Sequence, residues 1–98
     1  LFAHFKSFEL LTNFDIKKVS TKFHNTGLVV TKIREDKFCS EFEVRKCSSK
    51  KRIAKVNFWR KARAKYSSIV IFAHETDVLR EIEKVCQYIR IFFGKSSQ

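Results

Sequence analysis

The sequence has few residues that interrupt backbone structure: among its 98 residues there is no proline, and Gly27 and Gly94 are the two glycines. This scarcity predicts long, unbroken helices and strands. There is no run of 18 apolar residues, so the sequence contains no candidate for a membrane-spanning helix. The three cysteines, Cys39, Cys47 and Cys86, are odd in number and widely spaced. They do not indicate a secreted disulfide framework, and we expect a reducing, intracellular environment.

Acidic residues are absent from one long stretch of the chain. Between Val44 and His74 there is no Asp or Glu, although ten of the 21 Lys and Arg residues lie there. These ten are Arg45, Lys46, Lys50, Lys51, Arg52, Lys55, Arg60, Lys61, Arg63 and Lys65. Because like charges repel, such a stretch indicates a polyanionic partner. The net charge of +11 makes nucleic acid the first expectation, ahead of an anionic membrane surface or an acidic protein.

Hydrophobic patterning predicts one α+β domain that covers residues 1–98. The content of 44% hydrophobic residues, with eleven Phe, is sufficient for a single core. Alternating side chains predict strands over 19–23, 29–33, 38–44, 52–66 and 68–72. Residues 76–93 carry apolar side chains at helical spacing, which predicts a C-terminal helix, while the N-terminal residues fit either a short helix or a first strand. The predicted fold is a curved antiparallel sheet of about five to seven strands packed against the C-terminal helix.

The longest predicted strand, over residues 52–66, separates two kinds of side chain. One side has Ala54, Val56, Phe58, Ala62, Ala64 and Tyr66, and the other has Ile53, Lys55, Asn57, Trp59, Lys61, Arg63 and Lys65. Arg60 interrupts the apolar series, which indicates a bulge or a corner between two shorter strands. A helix over 57–66 is the alternative, because Trp-Arg-Lys-Ala-Arg-Ala-Lys has good helix propensity.

The candidate binding site is the cationic side of that long strand together with the turn before it. Its predicted residues are Lys50, Lys51, Arg52, Lys55, Trp59, Lys61, Arg63 and Lys65. On a strand, alternate side chains recur about every 6.6 Å, which is close to the spacing of successive phosphates along an extended single strand. Trp59 offers a flat ring for a base, and such stacking needs no particular base sequence. We therefore expect binding to the phosphate backbone of RNA or single-stranded DNA, alone or within a ribonucleoprotein or a chromatin-type complex.

A second basic group precedes this strand and leaves another function open. It consists of Lys17, Lys18, Lys22, Lys32 and Arg34. The spacing of Lys22 from Lys32-Ile33-Arg34 resembles the phosphoinositide motif of pleckstrin-homology domains, although Glu35 stands where that motif usually has an apolar residue. This resemblance implies a module that binds phosphoinositide membranes or a protein partner.

Two family resemblances concern the fold. The segment Tyr66–Ala73 followed by Glu75–Tyr88 resembles the last strand and C-terminal helix of pleckstrin-homology-like domains, although Ile82 is nearest to the usual helix Trp. The predicted four strands and helix between Val19 and Phe93 resemble the unit of Whirly and Pur-type single-strand-binding proteins. That second resemblance implies nucleic-acid binding across a curved sheet, often by dimers or higher oligomers, so a homo-oligomer stays open here.

The sequence offers little for catalysis or for cofactors. It has no glycine-rich phosphate loop, no nucleophile elbow and no C-x-x-C pair, and its His residues are not closely paired. We therefore expect no enzymatic activity, no cofactor and no metal site, and we expect the cysteines to pack as small hydrophobic side chains. A structural subunit that sets its basic face against an acidic neighbour is a further alternative.

Overall fold

The structure is a computed structural model and describes residues 2–9, 16–62 and 65–89. In order, the elements are β1 (His4–Glu9), α1 (Ile16–Asn25), β2 (Leu28–Glu35), β3 (Cys39–Lys46), β4 (Arg52–Ala62), β5 (Lys65–Ala73) and α2 (Thr76–Ile89). The strands form one antiparallel sheet in the order β1-β5-β4-β3-β2. This confirms the predicted α+β class, with an antiparallel sheet and a C-terminal helix. Within these ranges, neither helix has the length and apolar character needed to cross a bilayer.

Both helices pack against one side of the sheet, which we name the helix face. α1 contributes the buried Val19 and Phe23, and α2 contributes the buried Ile82, Val85 and Cys86. The sheet adds Phe42, Val44, Ala54, Val56, Phe58, Ile69, Ile71 and Ala73 to the same core. The opposite side, which we name the open face, carries neither of the two described helices. Because side chains alternate along a strand, the residues between the buried ones belong to the open face.

The prediction of a strand over residues 19–23 is wrong, because this segment lies within α1. Val19 and Phe23 are buried, while Thr21 between them is exposed. A spacing of four residues returns to the same side of a helix, whereas a strand would have buried Thr21 as well. α1 ends shortly before Gly27, whose φ of +82° is a conformation that glycine adopts without steric cost.

The long predicted strand is correct as far as Ala62, where β4 ends after 11 residues. The helical alternative over 57–66 is wrong, because the described residues of that segment are extended. Lys65 and Tyr66 do not continue β4; they begin β5, and Lys65 pairs with Ala62. Apolar and polar side chains alternate along both strands of a hairpin. The sequence pattern therefore did not reveal that β4 ends and β5 begins within the predicted strand.

Arg60 interrupts β4 as the sequence indicates. The register of β4 against β5 shifts on both sides of Arg60. Its guanidinium group donates hydrogen bonds to Glu35, to the backbone oxygen of Asp36 and to the hydroxyl of Tyr66. Its side chain is only 11% exposed. The cation on the apolar side of the strand is therefore paired, and it closes one end of the core beside Tyr66.

The remaining predicted elements agree with the structure where it describes them. β2 and β3 correspond to the strands predicted over 29–33 and 38–44, and β5 contains the one over 68–72. α2 begins at residue 76 as predicted, while residues 90–93 of that prediction lie outside the described residues. The N-terminal segment, for which two structures were open, forms the edge strand β1.

Substitutions in α1 distinguish the helix from the strand that its sequence pattern suggested. Phe23→Ala removes a fully buried ring, and we expect it to lower the free energy of unfolding by about 3–5 kcal/mol. Thr21→Ala changes an exposed helical position, and we expect a change of less than about 0.5 kcal/mol. Urea unfolding measures both values. A large loss in both variants would contradict the helix, because only a strand places both side chains in the core.

Candidate functional site

β4 places its polar side chains on the open face at regular intervals. Lys55, Asn57 and Trp59 alternate there with buried residues of the helix face, as predicted from the sequence. Ile53 was predicted to join them, but it is 6% exposed and packs in the core. The register between β3 and β4 shifts beside it, so that Ile53 is an extra residue and Arg52 returns to the open face.

Two glutamates of β3 balance part of the charge on this face. The pairs are Lys55 and Arg34 with Glu41, at 2.9 and 3.0 Å, and Arg45 and Arg52 with Glu43, at 3.0 and 3.5 Å. Since Arg34 also pairs with Asp36, these four cations share three carboxylates, and an excess of positive charge remains. The acid-free stretch is partly neutralised from within the sheet, by acids of the strand that precedes it.

Lys55 and Arg34 hold Glu41 in its charged form. The hydrogen bond from Lys55, followed by that from Arg34, lowers the pKa of Glu41 from its ordinary value of 4.5. The Glu41 side chain is only 14% exposed. The carboxylate is therefore ionised at neutral pH, and the network of charges on the open face is intact there.

Five further lysines of the acid-free stretch are exposed and make no ion pair with any described residue. They are Lys46, Lys50, Lys51, Lys61 and Lys65. The first three belong to the β3–β4 hairpin end, and the last two belong to the opposite end of β4. Since the 11 residues of β4 include irregularities near both ends, the two groups are roughly 30 Å apart.

The predicted site residues lie along β4 and its two ends, with one outside the described residues. Lys50 and Lys51 precede β4, Arg52, Lys55 and Trp59 lie on its open face, and Lys61 and Lys65 lie at the far end. Arg63 is outside the described residues. The cations thus follow β4 from the turn as far as Lys55, and Asn57 separates Lys55 from Trp59. Lys65 lies at the far end of the row on β5 and not on β4.

Aromatic side chains also reach the open face. Trp59 is 40% exposed, between Cys39 of β3 and Ser68 of β5. Phe5 of β1 and Phe72 of β5 form an aromatic pair there, with ring centroids 6.2 Å apart. Sequence reasoning missed Phe5, because the N-terminal segment fitted two structures and no side of a strand could be assigned to it.

Asn57 carries an unsatisfied acceptor at the centre of the open face. Its Oδ1 atom is buried and has no hydrogen-bond partner among the described residues. Buried acceptors in folded proteins are normally satisfied. Because this atom is closed to solvent, it is not itself a contact for a bound group.

The second basic group does not form a single surface. Lys17, Lys18 and Lys22 are on α1, and not on a strand as predicted, while Lys32 and Arg34 are on β2. A register shift at Ile33 turns Lys32 toward the helix face and Arg34 toward the open face. Both side chains bind carboxylates, Lys32 that of Glu35 at 2.6 Å and Arg34 that of Asp36. The structure does not bring Lys32 and Arg34 to one site.

Two of the cysteines are structural. Cys39 and Cys86 are buried, whereas Cys47 is exposed. Burial raises the pKa of Cys86 to about 12, so its thiol is protonated at neutral pH and packs as a small hydrophobic group. In the ranges that the structure describes, no three His, Cys, Asp or Glu side chains lie close enough together to hold a metal ion.

The resemblance to Whirly and Pur-type proteins was noted for four predicted strands and a helix that begin at Val19. In the structure, β2 to β5 and α2 have this order of elements, but the first of these strands begins at Leu28. Comparison with known proteins finds no match, neither among family models nor among curated proteins or solved structures. The open face is therefore the basis for any functional proposal.

The pair of Lys55 and Glu41 predicts a pH effect of definite sign. In the folded protein the pKa of Glu41 lies below its ordinary value of 4.5, so ionisation of Glu41 stabilises the fold fully above that pH. As the pH falls through the lowered pKa, this contribution is lost. We therefore expect the free energy of unfolding to decrease in that acid range.

Carbon-13 NMR titration of the glutamate carboxyl groups measures the pKa directly. Lys55→Met should raise the pKa of Glu41, because the Lys55 hydrogen bond is the largest cause of the shift. Arg52→Met, which removes a partner of Glu43, is the matched control and should leave the Glu41 pKa unchanged. An unaltered pKa of Glu41 in Lys55→Met would contradict the pairing.

Proposed function

We propose that the open face binds an extended single strand of RNA or DNA, which lies along β4. The observation that carries this proposal is the partly exposed Trp59, placed between two groups of unpaired lysines along one strand. The regularly spaced phosphates of a polynucleotide can contact two separated cationic groups, and its bases can stack on an aromatic ring. The role is binding alone, without a chemical step.

The two ends of β4 supply phosphate contacts. Lys50 and Lys51 at one end, and Lys61 and Lys65 at the other, are exposed and pair with no described carboxylate. Each phosphate that such a lysine neutralises adds about −0.7 to the slope of log affinity against log salt concentration for a single strand. Contacts of this kind give affinity at low salt and carry no base sequence information.

The open face of β4 supplies stacking and shared cations. Arg52 is 50% exposed and pairs with Glu43 at 3.5 Å, and surface ion pairs of this kind contribute only about 0–1 kcal/mol. A phosphate can therefore share Arg52 with little loss of stability, while Lys55 keeps its bond to the mostly buried Glu41 and has further N–H donors for a phosphate. A base stacked on Trp59 contributes about 1–3 kcal/mol. The repeat of about 6.6 Å along the row lets successive nucleotides meet successive side chains.

The arrangement favours a polynucleotide over a phosphoinositide headgroup. A headgroup site of the pleckstrin-homology type requires Lys22, Lys32 and Arg34 to act together. Lys32 and Arg34 turn to opposite faces, and each binds a carboxylate. The unpaired lysines at the ends of β4 are instead roughly 30 Å apart, a distance that a single headgroup does not span.

Fluorescence anisotropy with labelled RNA and DNA strands of about 12 nucleotides, over a series of salt concentrations, tests the proposal. Trp59→Ala should weaken binding by about 1–3 kcal/mol without changing the salt slope. Lys61→Gln and Lys65→Gln should each reduce the magnitude of that slope by about 0.7. Lys84→Gln is the matched control: it removes the same charge from an exposed position on α2 and should leave the slope unchanged.

Several outcomes would contradict the proposal. Binding that does not depend on salt, or that Trp59→Ala leaves intact, is inconsistent with it. Binding to phosphoinositide vesicles but not to the oligonucleotides would favour the membrane module. Absence of binding to either would favour a structural subunit that faces an acidic protein. Urea unfolding of each variant verifies that the protein is folded.

A further inference from the structure

We infer that Phe5 forms a second base-stacking site on the open face, about two to three nucleotides away from Trp59. This inference rests on the proposed function and adds a residue of β1 to the binding surface. Phe5 is 68% exposed, more than Trp59 at 40%. Its ring therefore has free surface for a stacked base.

A row of side chains across the sheet holds this site in place. Phe5 and Phe72 are Cα partners across β1 and β5, and Phe72 and Lys55 are partners across β5 and β4. The two ring centroids are 6.2 Å apart at an interplanar angle of 30°. The Nζ atom of Lys55 lies 5.3 Å from the Phe72 centroid. Phe72 is thus flanked on both sides, while Phe5, on the edge strand, keeps most of its surface in solvent.

The register of the sheet determines the separation of the two stacking sites. Lys55, in the row of Phe5, precedes Trp59 by four residues of β4, which is about 13 Å, or two repeats of the row. β1 is two strands away from β4, which adds about 9.6 Å across the sheet. A single strand whose backbone lies along β4, with its bases extended across β5, therefore reaches from the row of Trp59 to the row of Phe5 in two to three nucleotides.

The surface between the two rings suits bases more than phosphates. Ser7 of β1 and Ser68 and Val70 of β5 lie there, and their short side chains leave room for a planar group. Glu9 lies in the row of Trp59 at the end of β1, where it repels phosphates toward the cations of β4. The bases are thus directed to β5 and β1, and the phosphates to β4.

A single exposed phenylalanine is ordinary on a protein surface. The open face, however, joins three aromatic side chains from three strands, Phe5, Phe72 and Trp59, with a row of cations beside them. Aromatic rings within a cationic groove are the arrangement by which single strands are bound without base preference. The shared face, and not the exposure of Phe5 alone, carries the inference.

Phe5→Ala is the test variant, and Phe38→Ala is its matched control. Phe38 is 63% exposed but lies between β2 and β3, outside the aromatic row. On the labelled strands of about 12 nucleotides, Phe5→Ala should weaken binding about 5- to 20-fold with an unchanged salt slope, because stacking is lost and no charge is removed. Phe38→Ala should leave the affinity within about twofold. Phe5→Trp should restore binding, which shows that an aromatic ring is required at this position.

The failure of this inference is distinguishable from failure of the proposed function. Binding that Trp59→Ala weakens and Phe5→Ala does not would overturn the second site alone. Absence of binding by the wild-type protein would overturn both. A change of oligomeric state in Phe5→Ala with unaltered affinity, measured by light scattering, would assign Phe5 to a contact between copies of the chain and overturn the inference. Weakening by Phe5→Ala with recovery in Phe5→Trp supports it.

Discussion

The alternation of side chains along β4 connects the hydrophobic core to the charged surface. Packing of Val56 and Phe58 against the helices determines that Lys55, Asn57 and Trp59 point to the open face. A slip of one residue in register would exchange the two sets, so the stability of the core also determines the position of the cations. The spacing of the candidate contacts is therefore a consequence of the fold, and needs no separate structural support.

The cations of the acid-free stretch have two separate roles. Several of them pair with acids, among them Arg60 with Glu35, and Lys55 and Arg52 with the glutamates of β3. Arg60 shows the structural role most clearly, because a nearly buried guanidinium on the helix face would destabilise the fold without its carboxylate. The lysines at the two ends of β4 have no such role among the described residues. Their charge is available to a ligand.

Sequence reasoning predicted the strands and α2 well, because their alternation and helical spacing are local patterns. It failed at α1, where Val19, Thr21 and Phe23 imitate a strand, although Ile16, Val19 and Phe23 also fit helical spacing. It failed to end β4 at Ala62, since a hairpin preserves alternation. The placement of Lys55, Asn57 and Trp59 on one side of a strand could be predicted, because it follows from alternation within one segment. The pairing of Glu41 with Lys55 and the position of Phe5 could not be predicted, because both depend on which strands are neighbours.

The position of the unpaired lysines favours a long ligand over a small anion. A small anion meets one end of β4 only, and a contact with an exposed lysine contributes little by itself. A polymer bound at one end holds its other phosphates at high effective concentration near the second end, roughly 30 Å away, so the second contact forms within one complex. Between the ends, Lys55 is already ordered by its ion pair and its contact with Phe72, and loses little side-chain freedom on binding. Under the proposed function, the unpaired charges at both ends and the ordered lysine between them should make the length of the polyanion, more than the identity of its bases, the main determinant of affinity.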